Sequence, residues 1–168
     1  NLIKHFVIFF NSNFQKRGLW DMTLIFNEIH IVDGLDNSFM IAAADRRITY
    51  PDGTHKNWKK LFKIHNLHGA ISYYGLAEFQ VKGKKEIINL SSWLPNFIKH
   101  NAGIDSLRTF CVTLQDELNS LAPSSLLKRY PSGFHICGYD KFGYPDVWSI
   151  KNYRKYENFQ HKDLEGAY

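Results

Sequence analysis

The first half of the chain is a series of short apolar segments separated by turn residues. Strands are predicted at residues 23–31, 39–44, 61–64 and 70–74, where β-branched and aromatic residues are concentrated. Residues 39–44 are continuously apolar, which predicts a strand that is covered on both faces. Asp33-Gly34 and Pro51-Asp52-Gly53 predict turns between these strands. This half is therefore expected to be a run of antiparallel hairpins.

Between residues 90 and 121 the hydrophobic period changes from two towards 3.6. Two amphipathic helices are expected here, because each apolar set lies on one helical face. The first should be capped by Ser91 or Ser92, with Pro95 in its first turn. The second should begin after Asp105 or Ser106 and stop before Pro123. The apolar sets are Leu90, Trp93, Leu94, Phe97 and Ile98, then Leu107, Phe110, Cys111, Leu114, Leu118 and Leu121.

The strand pattern returns near the end of the sequence. A loop at residues 123–133 is expected to lead into strands at 134–139 and 147–150, joined by an Asp140-Lys141-Phe142-Gly143 turn. Residues 152–168 show no clear periodicity. Strands, two helices and then strands predict an α+β layered fold, because each apolar helix face must be buried against a sheet.

The composition fits one domain and narrows the class of protein. The 168 residues are 44% hydrophobic, which is enough for a core. The longest apolar run, residues 6–10, is far shorter than the roughly 20 residues of a membrane helix, and it lacks the features of a secretory signal. A cytoplasmic protein is therefore expected, without a role at the membrane. Cys111 and Cys137, which lack CxxC spacing, are interpreted as small buried residues.

The formal charge of +5 raises the question of a nucleic-acid partner. The basic residues fall into three clusters, at residues 56–63, 82–85 and 151–155, without a recognition helix or a zinc knuckle to organise them. Surface charge is the favoured interpretation, and no nucleic-acid role is expected. The eight histidines show no metal-ligand spacing, so no metal is expected either.

Five segments in order carry a resemblance to a known family. They are 22–25 (MTLI), 41–49 (IAAADRRIT), 57–64 (NWKKLFKI), 72–77 (SYYGLA) and 133–140 (GFHICGYD). This series resembles the proteasome β-subunits and the bacterial HslV-type peptidase, which are N-terminal nucleophile (Ntn) hydrolases. The resemblance implies a four-layer αββα sandwich of antiparallel sheets flanked by helices, apparently incomplete at the C-terminus.

The resemblance implies a threonine-type peptidase whose nucleophile is Thr23. An N-terminal threonine supplies a hydroxyl nucleophile and, in its own α-amine, the base that activates it. By the resemblance, Lys60 provides the field that keeps this amine neutral, and Asp45 is the partner of Lys60. The backbone N–H of Gly75 is the implied oxyanion donor.

A substrate cleft is also implied by the resemblance. Arg47 and Thr49 would line it, pairing with an extended substrate as an added strand. Ile48, Trp58 and Tyr73 would form a shallow, apolar pocket for the residue before the cut. No cofactor is implied.

The chemistry requires Thr23 to be the first residue of the mature protein. Residues 1–22 are interpreted as an N-terminal extension, either a propeptide or a mistranslated upstream segment that ends at an initiator Met22. Residues 23–168 are interpreted as the proteasome-like domain. The family's later serine and aspartate motifs are not found, which is interpreted as a truncated chain or a divergent terminus.

The implied partners are further copies of the chain in a ring or related homo-oligomer, a peptide or unfolded-protein substrate, and an ATPase unfoldase. Two alternatives remain beside the peptidase. One is a catalytically silent structural subunit, and the other is an Ntn hydrolase that acts on a small amide.

Overall fold

The computed structural model describes the backbone of residues 4–16, 19–31, 37–50, 52–152 and 159–163. Side chains are described for residues 24–31, 37–50, 52–152 and 159. The predicted turn at Asp33-Gly34 and the side chain of Thr23 lie outside these ranges.

The described part of the chain is a mixed α+β fold with antiparallel sheets, as the sequence predicts. The strands are β1 (Lys4–Lys16), β2 (Leu19–Ile31), β3 (Phe39–Ala44), β4 (Arg47–Thr49), β5 (His55–Asn57), β6 (Leu61–Ile64), β7 (Gly69–Tyr74), β8 (Glu78–Gln80), β9 (Ile87–Asn89), β10 (Gly133–Tyr139), β11 (Pro145–Lys151) and β12 (Gln160–Asp163). The helices are α1 (Leu90–His100), α2 (Leu107–Leu121) and α3 (Ser124–Arg129).

Two larger sheets and two short ribbons make up the β structure. One sheet has the order β1-β2-β3 and the other the order β12-β11-β10-β7-β6. The ribbons are β4-β5 and β8-β9. The β1-β2 pairing runs the whole length of both strands, with Ser12 opposite Thr23. Residues interpreted as an extension therefore pair directly with the strand that contains Thr23.

The two sheets face one another, and α2 covers the opposite face of the five-stranded sheet. Strands β2 and β3 contact β7, and the Cys137 thiol of β10 lies 3.6 Å from Asn27 Oδ1 of β2. Helix α2 packs on β10 and β11. The core between α2 and the sheet contains fully buried side chains such as Phe110, Leu114 and Ile136. The described part of the chain thus forms three layers, in the order sheet, sheet, helix.

Several local predictions are confirmed. Helix α2 begins after Ser106, whose hydroxyl accepts a hydrogen bond from the Thr109 N–H at 3.1 Å. Asp140 organises its turn by accepting hydrogen bonds from the N–H groups of Phe142 and Tyr144. Both cysteines are buried. These features depend on local spacing and cap chemistry, which the sequence carries directly.

Helix α1 differs from the prediction at its start. Its N-cap is Asn89, whose side chain accepts a hydrogen bond from the Ser91 N–H at 2.9 Å. The helix therefore begins earlier than a serine cap implies, and Pro95 lies in the second turn. The segment predicted as a loop at 123–133 contains the short helix α3.

The prediction that β3 is covered on both faces is wrong. Exposure alternates along β3, with Phe39 48% and Ile41 43% exposed. Leu24 on the adjacent strand is 58% exposed. A continuously apolar segment was expected to have neighbours above and below, but only the face towards the second sheet is covered among the described residues.

Candidate functional site

An ion pair between a buried lysine and a partly exposed aspartate forms the centre of the candidate site. Lys60 Nζ lies 2.9 Å from Asp45 Oδ1, and the lysine side chain is only 3% exposed. The ammonium also donates to the Arg47 carbonyl oxygen. A buried ammonium needs such acceptors, because an unpaired charge is costly in the interior. The sequence-predicted pair of Asp45 and Lys60 is therefore in contact.

Three chain segments place this pair. Asp45 follows the last residue of β3, and its N–H donates to the Leu24 carbonyl oxygen at 3.0 Å. Lys60 precedes β6, and its carbonyl accepts a hydrogen bond from the Tyr73 N–H at 3.2 Å. Leu24 is the residue directly after Thr23. The backbone register therefore places Asp45 beside the segment of β2 that contains Thr23.

Gly75 occupies a sharp turn directly after β7. Its φ angle is +81°, and an added Cβ would lie 2.4 Å from the Pro131 carbonyl oxygen, so only glycine fits. The next N–H, of Leu76, donates to the Ser132 hydroxyl at 2.9 Å. The Tyr73 N–H is hydrogen-bonded to the Lys60 carbonyl, and Gly75 is two residues after Tyr73 in the chain. The Gly75 turn therefore lies close to Lys60.

Ser132 and Asn152 hold this turn and were not identified from the sequence. The Asn152 side chain accepts from the Ser132 N–H at 2.6 Å and donates to the Leu127 carbonyl oxygen at 2.6 Å. Both residues are buried. Ser132 also donates to the Tyr130 carbonyl oxygen. They lie about 60 and 75 residues along the chain from Gly75, at a separation where local sequence spacing carries no signal.

The predicted cleft residues are divided between the two faces of the β4-β5 ribbon. Ile48 pairs with Lys56, whereas Arg47 pairs with Asn57 and Thr49 with His55. Directly paired residues share a face and successive residues alternate. Ile48 therefore lies on one face, and Arg47 and Thr49 lie on the other.

The side chains of Tyr50, Lys56 and Trp58 contact one another. The rings of Tyr50 and Trp58 meet edge to face, with centroids 6.4 Å apart. Lys56 Nζ lies 5.3 Å from the Tyr50 centroid and 5.8 Å from the Trp58 centroid, within the range of cation–π attraction. Trp58 and Ile48 pack against the core from this side and are partly buried.

Tyr73 lies in the hydrophobic core. Its side chain is fully buried, packs against Phe134 and has its hydroxyl 3.3 Å from the Lys59 carbonyl oxygen. Burial raises the pKa of the Tyr73 phenol well above its usual range. The Tyr73 side chain thus presents no exposed surface, and its place in a pocket with Ile48 and Trp58 stays a prediction.

A row of polar side chains crosses the five-stranded sheet, and no spacing along the chain predicts it. Ser72, His135 and Ser149 are directly paired on β7, β10 and β11, and each is at most 1% exposed. They share the face of Cys137, which points towards β2. Burial, reinforced by the charge of Lys151, lowers the pKa of His135 to about 4. Burial raises the pKa of the Cys137 thiol to about 12, so the thiol is not activated.

Within the described ranges, no group of three or more His, Cys, Asp or Glu side chains could hold a metal ion. No helix among the described residues is long and apolar enough to cross a membrane. No protein-family model, no curated protein and no solved structure matches the chain.

Proposed function

We propose that this protein is a threonine-type amidohydrolase, and specifically a peptidase, in which Thr23 is the nucleophile. The observation that supports this most is the Asp45–Lys60 pair, held by a backbone hydrogen bond beside the residue that follows Thr23. An ammonium at that place disfavours protonation of a nearby amine, so a free α-amine at Thr23 would be neutral near pH 7 and able to accept a proton. No cofactor is needed for this chemistry.

The proposed reaction is acyl transfer in two steps. The Thr23 hydroxyl attacks the substrate carbonyl while the α-amine takes its proton. The resulting α-ammonium gives that proton to the substrate nitrogen, so the C–N bond breaks, the amine leaves and an ester remains at Thr23. Water then hydrolyses the ester and regenerates the hydroxyl. The Gly75 N–H is the proposed donor to the oxyanion, since Gly75 is exposed and directly follows β7, the strand that is hydrogen-bonded to Lys60.

The proposal requires a free amine at Thr23. Within β2, the nitrogen of Thr23 belongs to the peptide bond with Met22. The mature, active protein should therefore begin at Thr23. Cleavage before Thr23 would remove β1. Strand β2 would then be paired with β3 on one edge and would lose its β1 partner on the other edge.

We further propose that the fold is the four-layer αββα sandwich of Ntn hydrolases. Three layers are present in the described part of the chain. The exposed Leu24, Phe39 and Ile41 on the outer side of β2 and β3 are the kind of surface that a fourth, helical layer covers. We also propose, as the resemblance implies, self-association into a ring or related array in the cytoplasm, served by an ATPase unfoldase.

The test combines the mature N-terminus with activity. Protein expressed from the natural gene is analysed by intact mass and N-terminal sequencing, then assayed on fluorogenic peptides and small amides. Thr23→Ala and Lys60→Ala should each abolish hydrolysis, while Lys59→Ala, which changes the exposed neighbouring lysine, should retain it. Upstream residues retained in an active protein would contradict the proposal.

The assay also separates the two alternatives. A silent structural subunit would hydrolyse nothing in any form. If wild-type protein hydrolyses small amides but no peptides, and Thr23→Ala loses that hydrolysis, the protein is an Ntn hydrolase that acts on a small amide.

A further inference from the structure

The positive charge of this protein is concentrated in the segment around the candidate site. Residues 45–63 contain six Lys and Arg and two Asp, so they account for +4 of the chain's formal +5. Asp45 is paired with Lys60. Asp52 accepts hydrogen bonds from both the N–H and the hydroxyl of Thr54, and these hydrogen bonds lower the pKa of Asp52. The five other Lys and Arg side chains of this segment therefore outnumber its one other carboxylate, Asp52.

The β4-β5 ribbon gathers part of this charge on one face. Ile48 and Lys56 are directly paired, and the Trp58 N–H donates to the Arg46 carbonyl oxygen at 2.8 Å, which extends the same register by one pair. Arg46 is therefore placed on the face that carries Ile48, Lys56 and Trp58. We name these four residues the basic-aromatic face.

This face adjoins the proposed active site on both strands. Arg46 is next to Asp45 in the chain, and Trp58 is two residues before Lys60. Arg46 and Lys56 are exposed, whereas Ile48 and Trp58 are partly buried against the core. The face thus has an apolar floor and two cations at the solvent boundary.

We propose that the basic-aromatic face selects acidic peptide segments as substrates. The proposal rests on the proposed function, since it assigns a substrate class to the same site. A glutamate or aspartate side chain on an extended peptide can pair with Arg46 or Lys56, while a neighbouring apolar side chain contacts Ile48 and Trp58. Lys56 is held over two rings by cation–π attraction, which limits its freedom before a carboxylate binds.

An acidic peptide fits this face better than a nucleic acid. Binding of single strands uses ring faces on which bases stack. Here Tyr50 and Trp58 contact each other edge to face, and the Lys56 ammonium lies over both rings. The rings are therefore engaged within the protein, whereas the cations remain at the surface.

The experiment measures binding separately from catalysis. Full-chain protein with Thr23→Ala is titrated against a fluorescein-labelled peptide of alternating Glu and Leu, and its anisotropy is followed. The same peptide with Gln in place of Glu, and one with Lys, are the comparison probes. The Glu peptide should bind most tightly, and its affinity should fall as salt is raised.

Charge-neutralising variants locate the interaction. Arg46→Gln and Lys56→Gln should each weaken binding of the Glu peptide by about threefold, as expected for an exposed ion pair, and leave binding of the Gln peptide unchanged. Lys85→Gln makes the same charge change at an exposed residue in the distant β8-β9 turn, and should have no effect. Circular dichroism confirms that each variant is folded.

Three results would overturn the inference. They are equal binding of the Glu and Gln peptides, equal loss in Lys85→Gln, and tighter binding of a single-stranded oligonucleotide that is lost in the same two variants. Wild-type turnover keeps the two proposals apart. Thr23-dependent cleavage without preference for Glu overturns this inference alone, whereas charge-selective binding without turnover overturns the proposed function alone.

Discussion

At the scale of single residues, Lys60 is the side chain that depends most on its partners, because its charge is buried. It is almost completely buried, and its ammonium has acceptors in Asp45 and in the Arg47 carbonyl. Removing one partner of such a pair is more destabilising than replacing both, because the remaining charge keeps its desolvation cost without the compensating attraction.

Asp45→Asn is therefore expected to lower the free energy of unfolding by about 3 kcal/mol. The cause is a buried ammonium left with a neutral amide. Urea denaturation followed by tryptophan fluorescence measures the change. The double variant Asp45→Asn with Lys60→Met should recover part of the lost stability. Lys59→Met, at an exposed neighbouring position, should neither lower the stability of the wild type nor raise that of Asp45→Asn. A double variant less stable than Asp45→Asn would contradict the explanation that the unpaired Lys60 ammonium causes the loss of stability.

The pair could be named from the sequence only through the resemblance. In isolation, Lys59 and Lys60 are adjacent lysines with the same local pattern. The structure separates them, since Lys60 is buried in an ion pair while Lys59 is exposed with its ammonium 5.0 Å from the Phe62 ring centroid. That difference arises because Asp45, directly after β3, contacts Lys60 in the tertiary structure.

At the scale of elements, helix α2 follows local chemistry closely and the ribbons do not. Helix α2 has the cap and the end that its sequence predicts. Strands of three residues, such as β4 and β5, carry too few positions for a periodic signal. The face that each ribbon residue occupies is decided by its pairing, which is why Ile48 is separated from Arg47 and Thr49.

Pro95 is an unfavourable residue inside α1. It lies in the second turn, is exposed, and has no N–H to donate to the Ser91 carbonyl one turn earlier. Pro95→Ala is expected to raise the free energy of unfolding by about 2 kcal/mol, since it restores that hydrogen bond and removes the ring's clash. Urea denaturation measures the gain. Ser92→Ala, at an exposed position in the same helix, is the control, and an equal change in both variants would contradict this explanation.

At the scale of the whole molecule, the interface between the sheets contains a buried histidine. His135 lies between Ser72 and Ser149 on the face towards β2, and its pKa is lowered to about 4. In the unfolded chain a histidine has a pKa of about 6.5. Between these values the unfolded state binds more protons, so stability falls as the pH is lowered.

Lowering the pH from about 6.5 to about 4 should therefore remove about 3 kcal/mol of stability through His135. Urea denaturation across this range measures the slope. His135→Gln should flatten the slope whatever its effect on stability at neutral pH. His55→Gln changes an exposed histidine and should leave the slope unaltered. The same slope in wild type and His135→Gln would show that other groups cause the acid sensitivity.

The sequence by itself determined the α+β class, the position of six of the twelve described strands, the span of α2 and the turns at Gly53 and Gly143, because these depend on neighbouring residues. Only the tertiary structure decided that Lys60 is buried with Asp45, that Tyr73 lies in the core, that β3 has an exposed face, and that Ser132 and Asn152 hold the Gly75 turn. Each of these depends on which distant segment covers a surface, and hydrophobic spacing along the chain does not record that partner.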